Sequence, residues 1–141
     1  MIFGAHGQDG SLLSQLLLKK GYRVVGLSRS GRKTSHNHIQ LGIEKDVELE
    51  EGSISNNKTV LRLIEKYHPV AIYNLAGQSS VGKSYSHPEE TIQSIINGTL
   101  NILETTKKLM YPGRIFFAGS SEIFGEIKTK ADLSHIQQPT S

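Results

Sequence analysis

Cysteine is absent from this 141-residue chain. Its absence excludes disulfide bonds, thiolate-ligated metal centres and cysteine nucleophiles. The sequence also lacks any apolar run near the roughly 18 residues that a membrane-spanning helix needs. Its start carries neither the basic stretch nor the long apolar stretch of a secretory signal. With 36% hydrophobic residues, the composition is typical of one globular domain, which we expect in the cytoplasm and not in a membrane.

Basic residues are only in modest excess. The net charge of +3 comes mostly from short pairs such as Lys19-Lys20 and Lys107-Lys108. Because no basic stripe is interleaved with aromatic residues, the sequence does not predict nucleic-acid binding. The six histidines do not fall at metal-ligand spacings, so no metal site is predicted. We expect His36 and His38, two apart in a polar loop, to be solvated.

Three glycines spaced three apart dominate the start of the chain. Residues 4–11 read Gly-Ala-His-Gly-Gln-Asp-Gly-Ser, between a short apolar strand and an apolar run of helical period. This pattern can hold a dinucleotide pyrophosphate: Gly4 permits the tight turn, Gly7 lets the backbone approach the phosphates, and Gly10 lets helix and strand pack closely. The helix N-terminus adds free N–H groups and a positive dipole end. By themselves, the three glycines could also form an ordinary turn.

The end of the second predicted strand indicates which dinucleotide would bind. Residues 22–27 form a β-rich run that leads into Ser28-Arg29-Ser30. A site that prefers NAD usually carries Asp or Glu here for the ribose 2′-hydroxyl. A cation flanked by hydroxyl groups suits the 2′-phosphate of NADP instead. We therefore favour NADP; the alternative is that Arg29 is simply an exposed loop residue.

The whole chain alternates strand and helix patterns. The first helix carries Leu12, Leu13, Leu16 and Leu17 on one face. After strand 1, the sequence predicts a helix at about 8–20, a strand at 22–27, a polar loop at 31–45 and a weak strand at 47–49. A helix capped by Ser53 or Ser55 follows and ends at His68-Pro69, and a buried strand covers 70–76. A long helix then runs from a capping box at Ser86 to about Met110, with an apolar stripe formed by Ile92, Ile96, Thr99, Leu103 and Met110, and the last strand lies at 114–119. This series predicts an α/β fold with a doubly wound parallel sheet.

The order of the motifs resembles the extended short-chain dehydrogenase/reductase superfamily and, within it, the GDP-mannose 4,6-dehydratase family. Residues 4–11 are similar to that family's cofactor loop, in which Gly-Gln-Asp-Gly-Ser is characteristic, and Ser28-Arg29-Ser30 resembles its Arg-Arg-Ser segment, which binds NADP. Residues 72–79 match its Ile-Tyr-Asn-Leu-Ala-Ala-Gln-Ser at all but one position, and residues 98–104 share its Gly-Thr-Leu with Leu-Glu. Residues 120–125 are similar to its Thr-Ser-Glu-Leu-Tyr-Gly. The likeness covers almost the whole chain.

The resemblance implies a Rossmann-like domain that binds NADP. Ser53-Ile54 stands where the family usually has an Asp-Leu pair against the adenine, which is a departure from the family pattern. The residues that the glycine motif, the strand ends and the resemblance together assign to the cofactor are Gly4, Gly7, Gln8, Asp9, Gly10, Arg29, Ser53, Ile54, Leu75, Ala76 and Gln78.

The resemblance also implies a reaction on a GDP-hexose. Enzymes of this family move a hydride from sugar C4 to NADP, eliminate water across C5 and C6, and return the hydride to C6. Ser120 would hydrogen-bond the C4 oxygen, and Glu122 would take the C5 proton and protonate the departing hydroxyl. The alternative is that Ser120 and Ser121 satisfy backbone groups and that Glu122 is solvated.

Two further departures suggest an N-terminal fragment. Strand 1 has only three residues, and the family's Tyr-x-x-x-Lys pair would follow residue 141. We therefore expect residues 1–141 to be a partial NADP-binding domain, with the sheet incomplete on its C-terminal side, the substrate-binding part absent and no activity alone. At full length, the resemblance implies a homo-oligomer. The rivals are another nucleotide-sugar epimerase or reductase, which needs no carboxylate at Glu122, and a non-catalytic NADP-binding remnant.

Overall fold

The computed structural model describes residues 1–29, 35–127 and 129–139, except for the side chains of residues 121 and 122. The strands are β1 (Ile2–Phe3), β2 (Val24–Ser28), β3 (Val47–Glu51), β4 (Ala71–Asn74) and β5 (Arg114–Phe117). The α-helices are α1 (Gln8–Lys19), α2 (His36–Gln40), α3 (Asn57–Tyr67), α4 (Val81–Ser86), α5 (Pro88–Ile92) and α6 (Gly98–Lys108). A π-helical segment, Gln93–Asn97, joins α5 to α6, and a 3₁₀ turn covers Ser121–Phe124.

The five strands form one parallel sheet in the order β3-β2-β1-β4-β5. The chain builds outward from β1 to β2 and β3, and then returns to place β4 and β5 on the other side of β1. This reversal confirms the predicted doubly wound α/β fold. It also creates a switch point between β1 and β4, where the loops after these two strands diverge and open a crevice at their carboxyl ends.

Two apolar layers cover the faces of the sheet. Since successive strand residues point to opposite faces, Phe3 packs with Ile72 and with α3 and α6, whereas Ile2 packs with Val24 and Val47. In the first layer, α3 contributes Val60, Leu63 and Ile64, and α6 contributes Ile102. The central strand β1 is therefore buried on both sides, as its wholly apolar sequence requires.

Helix α1 approaches the sheet through small residues. Gly10, Ser11 and Ser14 are its buried residues. Of the apolar face that the sequence predicted, Leu13 and Leu17 pack partly buried against the second layer, whereas Leu12 and Leu16 are half exposed. Ser11 Oγ donates to the Ala5 carbonyl at 3.1 Å and Ser14 Oγ to the Gly10 carbonyl at 2.7 Å. Buried hydroxyls that bond nearby carbonyls allow the helix to lie close to the strand.

The predicted long helix is present, since α5, the π-helical segment and α6 follow one another without a break from Pro88 to Lys108. Helix α5 begins at Pro88, and its cap residue His87 makes no capping bond with its side chain, so the predicted capping box at Ser86 is wrong. The stripe through Ile92, Ile96 and Leu103 is exposed, because α6 instead packs through Gly98 and Ile102.

Gly98 is required by a close approach to a loop. A Cβ at this position would lie 2.8 Å from Ile54 Cγ2. Asn101 Nδ2 donates to the Ile54 carbonyl at 3.0 Å, which ties α6 to the turn after β3. The cap of α3 in this turn is also different from the prediction: Asn56 accepts hydrogen bonds from the first turn, not Ser53 or Ser55.

Candidate functional site

A cleft of about 490 Å³ opens at the carboxyl ends of β1, β2, β3 and β4. Seven residues assigned to the cofactor from the sequence line it: Gly4, Gly7, Arg29, Ser53, Ile54, Leu75 and Ala76. The other lining residues are His6, Leu27, Ser28, Gly52, Ser55, Gly77, Glu90, Gln93 and Ser94. Gln8, Asp9, Gly10, Gln78 and Ser120 do not line it. The cleft thus joins segments that are widely separated in the chain.

The glycine loop after β1 forms one wall of the cleft. Gly4 has φ +87, and a Cβ on it would lie 2.7 Å from the Leu75 carbonyl oxygen. A Cβ on Gly10 would lie 2.3 Å from the Gly4 carbonyl oxygen. The structure therefore agrees with the tight turn expected of Gly4 and the close packing expected of Gly10, and side chains at these positions would displace the backbone.

The N-terminus of α1 lies behind this loop. Gly7 is the cap residue and provides no side-chain hydrogen bond to the first turn. Gly7, Gln8 and Asp9 are exposed. The first-turn N–H groups and the positive end of the helix dipole suit an anion in front of the loop. The residues present therefore fit a pyrophosphate group, although contact with one stays a prediction.

His6 links the glycine loop to the end of β2, which the sequence did not reveal. Its Nδ1 lies 2.7 Å from Ser28 Oγ, and its carbonyl accepts a hydrogen bond from Asn37 Nδ2 at 3.0 Å. Burial, and secondly the nearby His38, lower the pKa of His6. The imidazole is therefore neutral at pH 7 and fixes the position of a hydroxyl beside Arg29. Its place inside the glycine motif was the one available signal.

The expectation that His38 is solvated is wrong. Within the predicted polar loop, Ser35 caps the short helix α2, and the His38 side chain of this helix is fully buried. Its Nε2 donates to the Ala5 carbonyl at 2.9 Å, and its ring meets that of His6 edge to face at 5.3 Å. Burial lowers the pKa of His38. Both histidines thus help to hold the glycine loop in place.

Arg29 extends from the end of β2 along the cleft and forms an ion pair. Its Nη1 lies 2.9 Å from Glu90 Oε1, and both side chains are substantially exposed. The Arg29 hydrogen bond is the main cause that lowers the pKa of Glu90. Glu90 comes from α5, 61 residues away, and no local sequence pattern indicated that it would face Arg29.

The turn after β3 forms the opposite wall. Ile54 is buried against α6, with one edge on the cleft. Ser53 Oγ accepts a hydrogen bond from the Ser55 backbone N–H at 3.2 Å, and Ser55 Oγ donates to the Gln93 carbonyl at 2.9 Å. The wall is therefore apolar at Ile54 and polar at Ser53 and Ser55. An adenine ring would fit with its face on Ile54 and its polar edge near the two serines.

The segment after β4 completes the cleft on the side of the switch point. The Leu75 backbone N–H donates to the Phe3 carbonyl at 3.0 Å, which holds this segment against β1. Gln78 lies outside the cleft, where its Nε2 donates to the Ser80 carbonyl at 2.9 Å and its backbone N–H to Ser94 Oγ at 3.1 Å. In this structure Gln78 shapes the entry to α4 and α5.

The two candidate catalytic residues follow β5. Ser120 is exposed at the carboxyl edge of the sheet. Its carbonyl accepts a hydrogen bond from the Ile123 N–H at 3.4 Å. Glu122 lies in the 3₁₀ turn, and its side chain is outside the described part of the structure. Their catalytic roles stay predictions.

Two other features, a metal site and a membrane-spanning helix, each place requirements on the described ranges. Over residues 1–29, 35–127 and 129–139, no group of three or more His, Asp or Glu side chains could hold a metal ion. In the same ranges, no helix has the length and apolar character required to cross a membrane.

Comparison with known sequences identifies similar proteins. The family model described as GDP-mannose 4,6 dehydratase matches residues 1–141. A GDP-mannose 4,6-dehydratase of Yersinia enterocolitica is 33% identical over 138 residues, which cover 91% of this chain and 37% of the relative. A human GDP-mannose 4,6 dehydratase is 34% identical over 139 residues, which cover 91% of this chain and 37% of the relative. The chain therefore spans about 37% of the length of these curated relatives.

Solved structures with the same fold are also found. The UDP-glucose 4-epimerase of Thermus thermophilus, in complex with NAD, superposes with a TM-score of 0.85 at 23% identity, covering 99% of this chain and 44% of that one. The Brucella ovis UDP-glucose 4-epimerase in complex with NAD superposes with a TM-score of 0.83 at 24% identity, covering 98% of this chain and 41% of that one. At this identity, the likeness establishes the Rossmann-like fold.

Proposed function

Because the chain belongs to the GDP-mannose 4,6-dehydratase family, we propose that it is the cofactor-binding part of an enzyme that converts GDP-mannose to GDP-4-keto-6-deoxymannose with tightly held NADP. The observation that carries the cofactor assignment is the cleft itself. It places the glycine loop, the uncapped end of α1 and a guanidinium around one space at the switch point of the sheet, which is where open α/β sheets bind ligands.

The cleft suggests how each part of the dinucleotide would be held. The glycine loop, residues 4–10, would face the pyrophosphate, with Gln8 and Asp9 offering N–H groups from the first turn of α1. Ser28 and Arg29 would receive the 2′-phosphate, since they lie at the end of β2. The wall at Ser53-Ile54 would face the adenine. Leu75 and Ala76, which lie nearest the switch point, would extend the site toward the nicotinamide, with Gln78 supporting this segment from outside.

When bound, the nicotinamide supplies reversible hydride transfer. Ser120 would donate a hydrogen bond to the C4 oxygen of the sugar, and the tyrosine of the family's Tyr-x-x-x-Lys pair would take the C4 hydroxyl proton as the hydride leaves. A ketone at C4 makes the C5 proton acidic, and Glu122 would take this proton as a general base and then deliver it to the departing C6 hydroxyl as a general acid. Both residues follow β5 at the carboxyl edge of the sheet that also carries the cleft.

We further propose a homo-oligomer for the protein of full family length.

The test of this function uses the protein of full family length and GDP-mannose. We expect loss of the C6 hydroxyl, measured by mass spectrometry and NMR of the product. Glu122→Gln should reduce elimination by at least about 100-fold, within the range for a general acid or base, while NADP binding is retained. Glu126→Gln, which removes an exposed carboxylate four residues away, is the matched control.

The outcomes separate the alternatives. Unchanged turnover by Glu122→Gln would remove this carboxylate from the mechanism. A product that is epimerised at C4 but keeps its C6 hydroxyl would show a nucleotide-sugar epimerase instead. No turnover by the wild type, together with tight NADP binding, would favour the non-catalytic remnant.

A further inference from the structure

The Arg29–Glu90 ion pair lies inside the site proposed for NADP. Arg29 Nη1 and Glu90 Oε1 are 2.9 Å apart, and both residues line the cleft. The pair joins β2 to α5, two elements that belong to different halves of the doubly wound sheet. The Glu90 carboxylate is therefore already paired with the guanidinium that would bind a 2′-phosphate.

Glu90 is ionised at neutral pH, so its charge is present when a dinucleotide enters. The Arg29 hydrogen bond holds the pKa of this carboxyl below its usual range, and the charges of Arg29, Lys83 and His87 act in the same direction. The pair is exposed, with side-chain exposures of 66% for Arg29 and 47% for Glu90. Arg29 can consequently move between partners without disturbing the core.

We propose that Glu90 is a specificity-determining residue that opposes NADP and thereby reduces the preference for NADP over NAD. The inference rests on the proposed function. A 2′-phosphate must either displace Glu90 from Arg29 or lie beside a second anion, and either event costs binding free energy. NAD carries a hydroxyl in place of the phosphate, and a carboxylate can accept a hydrogen bond from that hydroxyl. Glu90 therefore opposes one dinucleotide and tolerates the other.

The experiment measures Kd values for NADP and NAD by isothermal titration calorimetry at low salt. We compare the wild type, Glu90→Gln and Glu89→Gln, with circular dichroism to confirm that the variants fold alike. Glu89 is the matched control because it is the adjacent residue of α5, accepts a hydrogen bond from Gln93 Nε2 at 3.1 Å and does not line the cleft.

We expect Glu90→Gln to bind NADP about 3- to 30-fold more tightly, since it removes one charge a few ångströms from the phosphate in partly screened surroundings. NAD binding should stay within about twofold or weaken. Glu89→Gln should leave the ratio of the two Kd values near that of the wild type. Raising the salt to about 1 M should reduce the gain, because exposed charges are then screened.

Three results would overturn this inference alone. Weaker NADP binding by Glu90→Gln would mean that Glu90 holds Arg29 in its productive position. Equal changes for NAD and NADP would mean a structural role, and no change would mean that the pair is irrelevant to binding. A wild type that binds neither dinucleotide would overturn the cofactor assignment itself, and this inference with it, whereas the first three results leave that assignment intact.

Discussion

Single residues near the cleft owe their positions to contacts from distant segments. The Ser28 hydroxyl at the end of β2 lies against His6 of the glycine loop, and His6 lies against the buried His38 of α2. Among the described residues, His6 Nε2 and His38 Nδ1 are buried without a hydrogen-bond partner. This arrangement keeps both rings neutral, so that among the described residues lining the cleft the positive charge at the proposed 2′-phosphate position comes from Arg29.

We predict that Arg29→Ala weakens NADP binding about 10- to 100-fold and changes NAD binding by less than about threefold. The expected loss corresponds to one charged hydrogen bond to phosphate, about 1.5–3 kcal/mol. The measurement is the Kd for each dinucleotide. Arg23→Ala is the control, since Arg23 pairs with Glu48 on the outer strand and lies outside the cleft. Equal weakening of both dinucleotides would contradict the 2′-phosphate assignment.

At the scale of elements, β3 and α3 are joined by a polar network. Glu50 accepts hydrogen bonds from Lys66 Nζ at 2.6 Å, from the Tyr67 hydroxyl at 2.6 Å and from Arg62 Nη1 at 3.1 Å. The Glu50 side chain is only 16% exposed. Hydrogen bonds from Lys66, chiefly, and from Tyr67 lower the pKa of Glu50 to about 2. Burial is the main reason that the pKa of Tyr67 is raised to about 12.

We predict that Glu50→Gln lowers the free energy of unfolding by about 1–2 kcal/mol at pH 7, because it removes the charge that three donors share. Since the folded-state pKa of Glu50 is depressed from 4.5, its contribution is fully present above about pH 4.5 and is lost as the pH falls toward about 2. The difference between wild type and variant should therefore shrink over that window.

The measurement is urea denaturation of both proteins at several pH values. Glu51→Gln, in the same strand but exposed, should change stability by less than about 0.5 kcal/mol, as surface substitutions usually do. A difference that stays constant from pH 7 to pH 2.5 would contradict the role of the Glu50 charge.

At the scale of the whole molecule, the two edges of the sheet differ. The edge strand β3 has the sequence Val-Glu-Leu-Glu-Glu, whose charges discourage pairing with another chain. The other edge strand, β5, reads Arg-Ile-Phe-Phe and is exposed along its whole length, with Phe116 at 53% and Phe117 at 48%. In the part of the chain that the structure describes, β5 pairs only with β4.

We predict that the 141-residue chain self-associates through β5 and that Phe117→Lys reduces this association at least fivefold, because a charged edge residue opposes strand pairing. Sedimentation velocity over a concentration series gives the association constant. Leu133→Lys is the control, since Leu133 is fully exposed outside any helix or strand. An equal effect of the two substitutions would show that general hydrophobicity, and not the β5 edge, drives association.

The sequence determined much of the fold because the relevant signals are local. The periods of the apolar residues predicted β2, β4, β5, α1 and α3 within a few residues, and the glycine spacing predicted the turn at Gly4 and the close packing at Gly10. The backbone imposes these requirements over three to fifteen residues, so they can be read without knowing what lies nearby in space.

Tertiary structure decided the features that depend on distant neighbours. Periodicity shows that a helix has an apolar face, but only packing decided that α1 buries its small residues most deeply and that the stripe through Ile92 and Ile96 stays exposed. Burial of His38 depends on the return of α2 to the glycine loop, and the meeting of Arg29 with Glu90 depends on two crossovers of the sheet. Contacts across such distances leave no local pattern, because the chain forms them only when the whole sheet is assembled.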